Sequence, residues 1–345
     1  MIAVLDKLAR SVQQSGPFAF CGVGVSRGGP PAFATACADG VTADEKTLFR
    51  VASVSKIVTA AAFEVAAGAA GLDRPYAVDA GEILGLDLRH PQFPDTAVTL
   101  GMLMTHTSGL SDAHGYGFDG TLAEGWTAAT AFGPHAPGSF FEYSNLGYIL
   151  LAAAAEVVSG QRFDLLVADV LSPHGIEAGF NWAGLTDAPS VPTFRRDGPE
   201  FVAMIDAPPD EARIGESYIL GQHTARFSPQ GGLRMSLQGM LTLAIAGAGV
   251  ARRLLWRQTD GPGVYENGLF QDYGAGEQIL PDPPFYPRPL VGHFGNAYGF
   301  NGGVWWDAEA DLCFAYALNG VPMGEESDAL STAELAIFEA VAQLP

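Results

Sequence analysis

Residues 49–56 read FRVASVSK, and residues 57–68 continue as IVTAAAFEVAAG, an alanine-rich run without proline. The spacing predicts that Ser53 opens a helix running to about Gly68, with Lys56 one turn further along the same face. In the first turn the backbone N–H of Ser53 has no helical carbonyl partner, so it can point at an oxyanion. Burial among apolar neighbours lowers the pKa of the Lys56 amine towards neutrality. These features predict a nucleophilic serine with a lysine as its proton acceptor.

A Ser-x-x-Lys pattern also arises by chance, as a helix-capping serine followed by a surface lysine. A second candidate segment is Tyr143-Ser144-Asn145, which precedes an apolar helical run at residues 146–158. A phenol and an amide two residues apart on a loop can project into one cleft. The alternative is that Tyr143 is a core aromatic residue and Asn145 caps the helix.

A third candidate segment is centred on His293. Gly292, Gly295 and Gly299 carry no side chains, so the predicted strand around this histidine has room for another group to lie against its backbone. A single histidine in an apolar strand can equally be a structural core residue. The stretch Ser111-Asp112-Ala113 is interpreted as a turn.

The elements predicted along the chain place strands near both termini. Strands are expected at residues 18–25, 32–38, 273–280, 290–295, 299–306 and 312–318, and further helices at residues 2–12, 100–109, 144–158, 165–171, 236–246 and 327–342. This pattern predicts an α/β (α+β) fold in which an antiparallel sheet formed by both termini is flanked by helices, with an inserted, mostly helical region. Because no linker or repeat interrupts the chain, residues 1–345 are expected to form one domain. Its sheet-plus-helix parts are residues 1–70 and 230–345, and residues 71–229 form its mostly helical part.

Composition excludes several classes of function. A formal net charge of −20 argues against a nucleic-acid partner, because binding nucleic acid requires clustered positive charge. The seven histidines form no His-Glu-x-x-His motif and the three cysteines are widely spaced, so no metal and no other cofactor is expected. No membrane segment is expected, since the apolar run at residues 146–158 is too short to span a bilayer. Without a visible signal peptide a cytoplasmic location is expected, with export after removal of a signal left open.

Taken in order, Ser-x-x-Lys, Tyr-Ser-Asn and His-x-Gly resemble the motifs of the class C β-lactamase-like serine hydrolases. That family includes penicillin-binding proteins with DD-peptidase activity, D-aminopeptidases and family VIII-type esterases. The resemblance covers nearly the whole chain and is carried by residues 49–56 (FRVASVSK), 99–110 (TLGMLMTHTSGL), 143–148 (YSNLGY), 231–233 (GGL) and 292–295 (GHFG).

The resemblance implies a β-lactamase/transpeptidase-like fold and a set of roles for this chain. In that set, Ser53 is the acylated nucleophile, Lys56 and Tyr143 share the general-base and general-acid steps, the N–H groups of Ser53 and Asn296 form the oxyanion hole, and Asn145, His293 and Gly295 bind the substrate.

The chain departs from the penicillinases of this family at the third motif, where they carry Lys-Thr-Gly and this chain has His293-Phe294-Gly295. A histidine with an ordinary pKa near 6.5 is mostly neutral at pH 7 and gains charge only towards pH 6, so it anchors a substrate carboxylate poorly. We therefore expect a hydrolase of small esters, amides or D-residue peptides with weak or no β-lactamase activity. Two alternatives stay open: a true class C-type β-lactamase or DD-peptidase, and a penicillin-recognising sensor that is acylated without turnover.

Overall fold

A seven-stranded antiparallel sheet joins the two ends of the chain. The computed structural model describes residues 1–117, 120–185, 188–204, 217–248, 254–322 and 330–344. In spatial order the strands are β10 (Asp272–Tyr273), β11 (Gln278–Leu280), β12 (Leu290–Ala297), β13 (Phe300–Asp307), β14 (Leu312–Asn319), β1 (Phe20–Ser26) and β2 (Ala32–Cys37). The first two strands of the chain thus complete a sheet begun by its last third, which confirms the predicted architecture.

Both faces of this sheet are covered, as the apolar alternation of β14 predicts. Leu312, Phe314, Tyr316 and Leu318 pack against helix α1 (Ile2–Ser15) and the final helix α10 (Thr332–Ala342). The smaller residues between them face helix α9 (Leu237–Gly247). The sheet is therefore the middle layer between two groups of helices.

The helical part of the protein is built on two long core helices, α2 (Ser55–Ala69) and α7 (Asn145–Ser159), which pack side by side. Helix α7 is buried from Leu146 to Glu156 and ends at Gly160, whose φ of 67° gives the left-handed cap that glycine favours. The other helices are α3 (Ala80–Leu84), α4 (Leu100–Met104), α5 (Leu122–Gly125), α6 (Ala128–Ala131) and α8 (Phe163–Leu171).

Short strands complete the fold outside the main sheet. They are β3 (Phe49–Arg50), β4 (Arg89–His90), β5 (Phe93–Ala97), β6 (Ala178–Phe180), β7 (Thr193–Asp197), β8 (Glu200–Met204), β9 (Leu233–Met235) and β15 (Val321–Pro322). Strand β9 lies between β3 and β6, which fixes the chain just before Ser53. The β7–β8 hairpin lies in a region that the sequence indicated only as loop-rich.

Several predicted elements differ from the structure. The strand expected over residues 273–280 is a hairpin of two short strands, β10 and β11, which pair antiparallel. The helix expected to begin at Ser53 begins at Ser55, because residues Ala52–Val54 form a 3₁₀ turn first. The helix expected to reach residue 109 ends at Met104, since His106 takes a left-handed backbone conformation with φ of 59°. The final helix begins at Thr332, and the predicted start at residues 327–329 lies outside the described residues.

By length and composition, one stretch of the described residues, Ala52–Ala69, could cross a bilayer, but 61% of it is buried inside the protein. It is the core segment that carries Ser53 and Lys56.

Candidate active site

Ser53 lies on the 3₁₀ turn that connects β3 to helix α2. Ala52, directly before it, has a left-handed backbone with φ of 48°, a conformation that a residue with a side chain adopts only when its surroundings enforce it. Ser55 provides part of that enforcement, since its hydroxyl donates to the Ala52 carbonyl and accepts from the N–H of Leu233 at 3.1 Å. The turn leaves Ser53 half-buried while its neighbours on either side are buried.

Strand β12 lies directly against this turn at Gly295. A Cβ atom at this glycine would approach the Val51 carbonyl oxygen to 2.5 Å, so only glycine allows the strand to pass so close to the chain just before Ser53. The N–H of Phe294 donates to Gln278 Oε1 at 3.0 Å, towards the edge where β11 ends. Because alternate residues of a strand direct their N–H groups to the same edge, the N–H of Asn296 points to that edge too. The structure thus brings Gly295 and Asn296 to the Ser53 turn.

The Lys56 amine contacts three oxygen atoms although its side chain is fully buried. Its Nζ lies 3.2 Å from Ser53 Oγ, 2.8 Å from Asn145 Oδ1 and 2.8 Å from the Gln230 carbonyl oxygen. A neutral amine has two N–H groups and one lone pair. The two carbonyl oxygens can only accept hydrogen bonds, so in the neutral form they take both N–H groups and leave the lone pair for the Ser53 hydroxyl.

Burial lowers the pKa of Lys56 to about 7, with the carboxylate of Asp112 opposing that fall. The apolar sequence around Lys56 predicts this direction. Near neutral pH a large fraction of molecules therefore hold the lysine as the free amine, the form that can accept the proton of Ser53.

The ring of Tyr143 lies next to the Lys56 amine, whose Nζ is 4.6 Å from the centre of the phenol ring. Burial raises the pKa of Tyr143 well above its usual value near 10, and a hydrogen bond with Ser53 opposes that rise. Tyr143 is therefore a neutral hydroxyl near pH 7 that can pass a proton on, and of the two groups Lys56 has the pKa suited to a base.

Asp112 caps the helix that begins beside Tyr143. Its carboxylate accepts from the Ser144 hydroxyl at 3.0 Å, the N–H of Asn145 at 2.7 Å and the N–H of Leu146 at 3.2 Å. A carboxylate at a helix N-terminus satisfies free backbone donors and complements the helix dipole. Sequence reasoning treated residues 111–113 as a turn and missed this role. No local pattern indicates it, because 32 residues separate Asp112 from Ser144 along the chain.

His293 does not present its ring to the cleft as a substrate anchor would. Its side chain is only 1% exposed, Nε2 lies 2.7 Å from the Tyr273 hydroxyl, and Nδ1 contacts the Phe294 carbonyl oxygen. Burial, with a further contribution from Lys56, lowers the pKa of His293 to about 3. The expected gain of charge towards pH 6 is therefore wrong. Phe294 packs its ring against Trp305 on the opposite face of the sheet, with centroids 4.5 Å apart.

The structure thus brings Ser53, Tyr143 and Asn145 together around the amine of Lys56. Asn296 lies at the edge of the neighbouring strand β12. Within the described ranges, no group of three or more His, Cys, Asp or Glu side chains is arranged to hold a metal ion.

The Beta-lactamase family model matches residues 5–337 of this sequence. The chain belongs to this family. No curated protein sequence matches it significantly. The Beta-lactamase fold predicted from the motifs is confirmed, and the protein is a serine hydrolase of this family.

Solved structures of other Beta-lactamase-fold proteins superpose over nearly the whole chain. D-amino acid amidase from Ochrobactrum anthropi SV3, complexed with L-phenylalanine amide, gives a TM-score of 0.70 at 14% identity and covers 98% of this chain and 96% of its own. A β-lactamase/D-alanine carboxypeptidase from Yersinia pestis gives 0.69 at 15% identity, covering 99% and 97%. A D-stereospecific amidohydrolase from Streptomyces sp. gives 0.68 at 16% identity, covering 99% and 98%. At such identities the likeness establishes the fold alone.

Proposed function

We propose that this protein hydrolyses small esters and amides, D-amino-acid amides among them, through an acyl-enzyme on Ser53, with weak or no β-lactamase activity. The observation that carries the proposal is the Lys56 amine, which is buried, has a pKa of about 7 and lies 3.2 Å from Ser53 Oγ. Its other two contacts are carbonyl oxygens, so its lone pair is directed to the nucleophile.

In the acylation step, Ser53 Oγ forms a bond to the substrate carbonyl carbon while its proton passes to Lys56 Nζ. The C–O or C–N bond to the leaving group then breaks. The leaving alcohol or amine takes the hydroxyl proton of Tyr143, and Lys56 returns its proton to the phenol oxygen. Water attacks the acyl-enzyme by the reverse proton path and releases the acid.

The negative charge that develops on the carbonyl oxygen needs fixed donors. The N–H of Ser53, at the start of a helical segment, and the N–H of Asn296, at the open edge of β12, are the pair proposed for this oxyanion hole. Asn145 commits its Oδ1 to Lys56, so its amide nitrogen is the group that can donate to a substrate carbonyl.

The choice of substrate class rests on charge. His293 is buried and neutral, and Phe294 turns to the far face of the sheet, so the third motif offers no cation to a substrate carboxylate. The net charge of −20 also disfavours anionic substrates, although salt screens it over about 8–10 Å. The amidase and amidohydrolase names of two structural neighbours favour amides among the possible substrates.

A panel of a p-nitrophenyl ester, D- and L-amino-acid p-nitroanilides and a chromogenic cephalosporin tests this proposal, with Ser53→Ala as the matched control. We expect ester or amide turnover to exceed cephalosporin turnover and to vanish in Ser53→Ala. Cephalosporin hydrolysis far faster than every ester and amide would show that the protein is a true β-lactamase. Stoichiometric acylation without turnover of any substrate would identify a sensor instead.

A further inference from the structure

Three buried side chains form a line of hydrogen bonds behind Tyr143. His106 Nδ1 lies 3.1 Å from the backbone nitrogen of Ser144, and its Nε2 lies 3.1 Å from the Tyr273 hydroxyl. The same hydroxyl lies 2.7 Å from His293 Nε2, and His293 Nδ1 contacts the Phe294 carbonyl oxygen. Both imidazole rings are only 1% exposed.

Burial lowers the pKa of both histidines, so both rings are neutral, and the backbone groups at the two ends then fix which nitrogen of each ring carries the proton. The N–H of Ser144 can only donate, so Nδ1 of His106 carries no proton and its Nε2–H donates to Tyr273. The Tyr273 hydroxyl then donates to His293 Nε2, which leaves Nδ1–H of His293 to donate to the Phe294 carbonyl. The two neutral histidines therefore have opposite tautomers.

The line spans two parts of the site that come from distant regions of the sequence. At one end, His106 packs against the Tyr143 ring with centroids 4.3 Å apart and accepts the backbone N–H of the next residue, Ser144. At the other end, His293 belongs to strand β12, two residues before Gly295 and three before Asn296. Tyr273, on strand β10, joins the two ends.

We propose that His106, Tyr273 and His293 are positioning residues that hold the Tyr143 hydroxyl in register with the oxyanion edge of β12. This inference rests on the proton-transfer role proposed for Tyr143. It explains why a histidine suffices at the third motif, because here the residue receives a hydrogen bond from within the protein and does not have to meet a substrate anion.

The tautomers of the wild-type protein test the arrangement without any substitution. Two-dimensional ¹⁵N–¹H correlation spectra of the histidine rings at pH 7.5 should show His106 protonated at Nε2 and His293 protonated at Nδ1. Assignment follows from His106→Gln and His293→Gln, each of which should remove one set of signals. The same tautomer in both histidines, or a positive charge on either ring, would overturn the proposal whatever the protein's activity.

Tyr273→Phe tests the functional consequence, because it removes one hydroxyl and leaves the ring in place. We expect kcat for a neutral ester to fall about 10–100-fold with KM nearly unchanged, since small displacements of a catalytic group have effects of this order. The Nε2 proton signal of His106 should also move.

Tyr286→Phe is the matched control, since it deletes a buried hydroxyl that donates to Asp307 at 2.9 Å on the far face of the sheet. This variant should lose stability without changing kcat or the His106 signal. Wild-type kcat in Tyr273→Phe, or an equal loss in both variants, would refute positioning. A failure of the proposed function is recognised separately, by the absence of any acylation of Ser53 in the wild-type protein.

Discussion

The core helices α2 and α7 each carry a buried ionisable side chain, and the two side chains differ in how many of their hydrogen-bonding positions are occupied by fixed protein groups. Glu156 on α7 accepts four hydrogen bonds: Phe163 N–H at 2.7 Å and Tyr218 hydroxyl at 2.6 Å on Oε1, Gly221 N–H at 2.7 Å and Thr224 hydroxyl at 2.6 Å on Oε2. Burial raises its pKa, and these four donors oppose the rise. Its oxygens are committed to fixed protein groups.

Lys56 on α2 has only two fixed partners, the oxygens of Asn145 and Gln230. Its third position faces the half-buried Ser53 hydroxyl. A buried group whose hydrogen-bonding positions are all occupied holds chain segments together, whereas a buried amine with one position open to a serine hydroxyl can act as a base. The difference lies in what surrounds each group, and perturbed pKa values alone do not reveal it.

The largest effect expected from this comparison is on activity. Lys56→Met and Tyr143→Phe should each lower kcat/KM for a neutral ester about 10²–10⁴-fold, the usual contribution of positioned proton transfer. Because both groups serve one proton path, the double variant should resemble the worse single variant. Full additivity of the two losses in steady-state kinetics would mean that Lys56 and Tyr143 act independently.

A second effect is the stability that Lys56 costs the protein. Its pKa is about 7 in the folded state against 10.5 for an ordinary lysine, so between these values the unfolded chain binds more protons than the folded one. The free energy of unfolding should therefore rise with pH in this window, by up to about 1.4 kcal/mol per pH unit. Below pH 7, Lys56→Met should be more stable than wild type by a constant amount. As pH rises from 7 to 10, this difference in unfolding free energy should disappear.

Urea unfolding of both proteins at pH 6, 7, 8 and 9 measures this difference, and other titrating groups cancel in the comparison. A difference that stays constant over the whole range would mean that the folded-state pKa of Lys56 is ordinary.

The smallest effect is expected for Glu156, whose side-chain oxygens already accept four hydrogen bonds. Glu156→Gln puts an amide NH₂ where at least one backbone N–H, that of Phe163 or Gly221, requires an acceptor, which should cost about 1–3 kcal/mol of unfolding free energy. Activity per folded molecule should stay at the wild-type level because Glu156 contacts none of the proposed catalytic groups. A large loss of kcat with unchanged stability would contradict the structural role assigned to Glu156.

Much of the fold and part of the site could be predicted from the sequence, because they depend on local spacing. The three-residue step from Ser53 to Lys56 and the helix start after Tyr143 are short-range features, and so is the apolar alternation of β14. The structure brings the first two together at Lys56.

The remaining features depend on contacts distant in sequence. Tyr273 is 167 residues from His106, so no local pattern indicates that they share a hydrogen bond. The sequence shows a histidine at position 293 but not its burial, and burial is what moves its pKa to about 3. Asp112 was overlooked for the same reason, since its role exists only where the chain folds back onto α7.

We propose that a neutral Lys56 activates Ser53, and the pH dependence of Ser53 acylation measures this activation. Intact-mass spectrometry after timed exposure to a fluorophosphonate, from pH 5 to 9, should show one adduct, located on Ser53 by peptide mapping. Its rate of formation should rise with pH and level off, with a midpoint near the Lys56 pKa of about 7. An adduct that persists in Ser53→Ala, or a labelling rate independent of pH across this range, would contradict the claim.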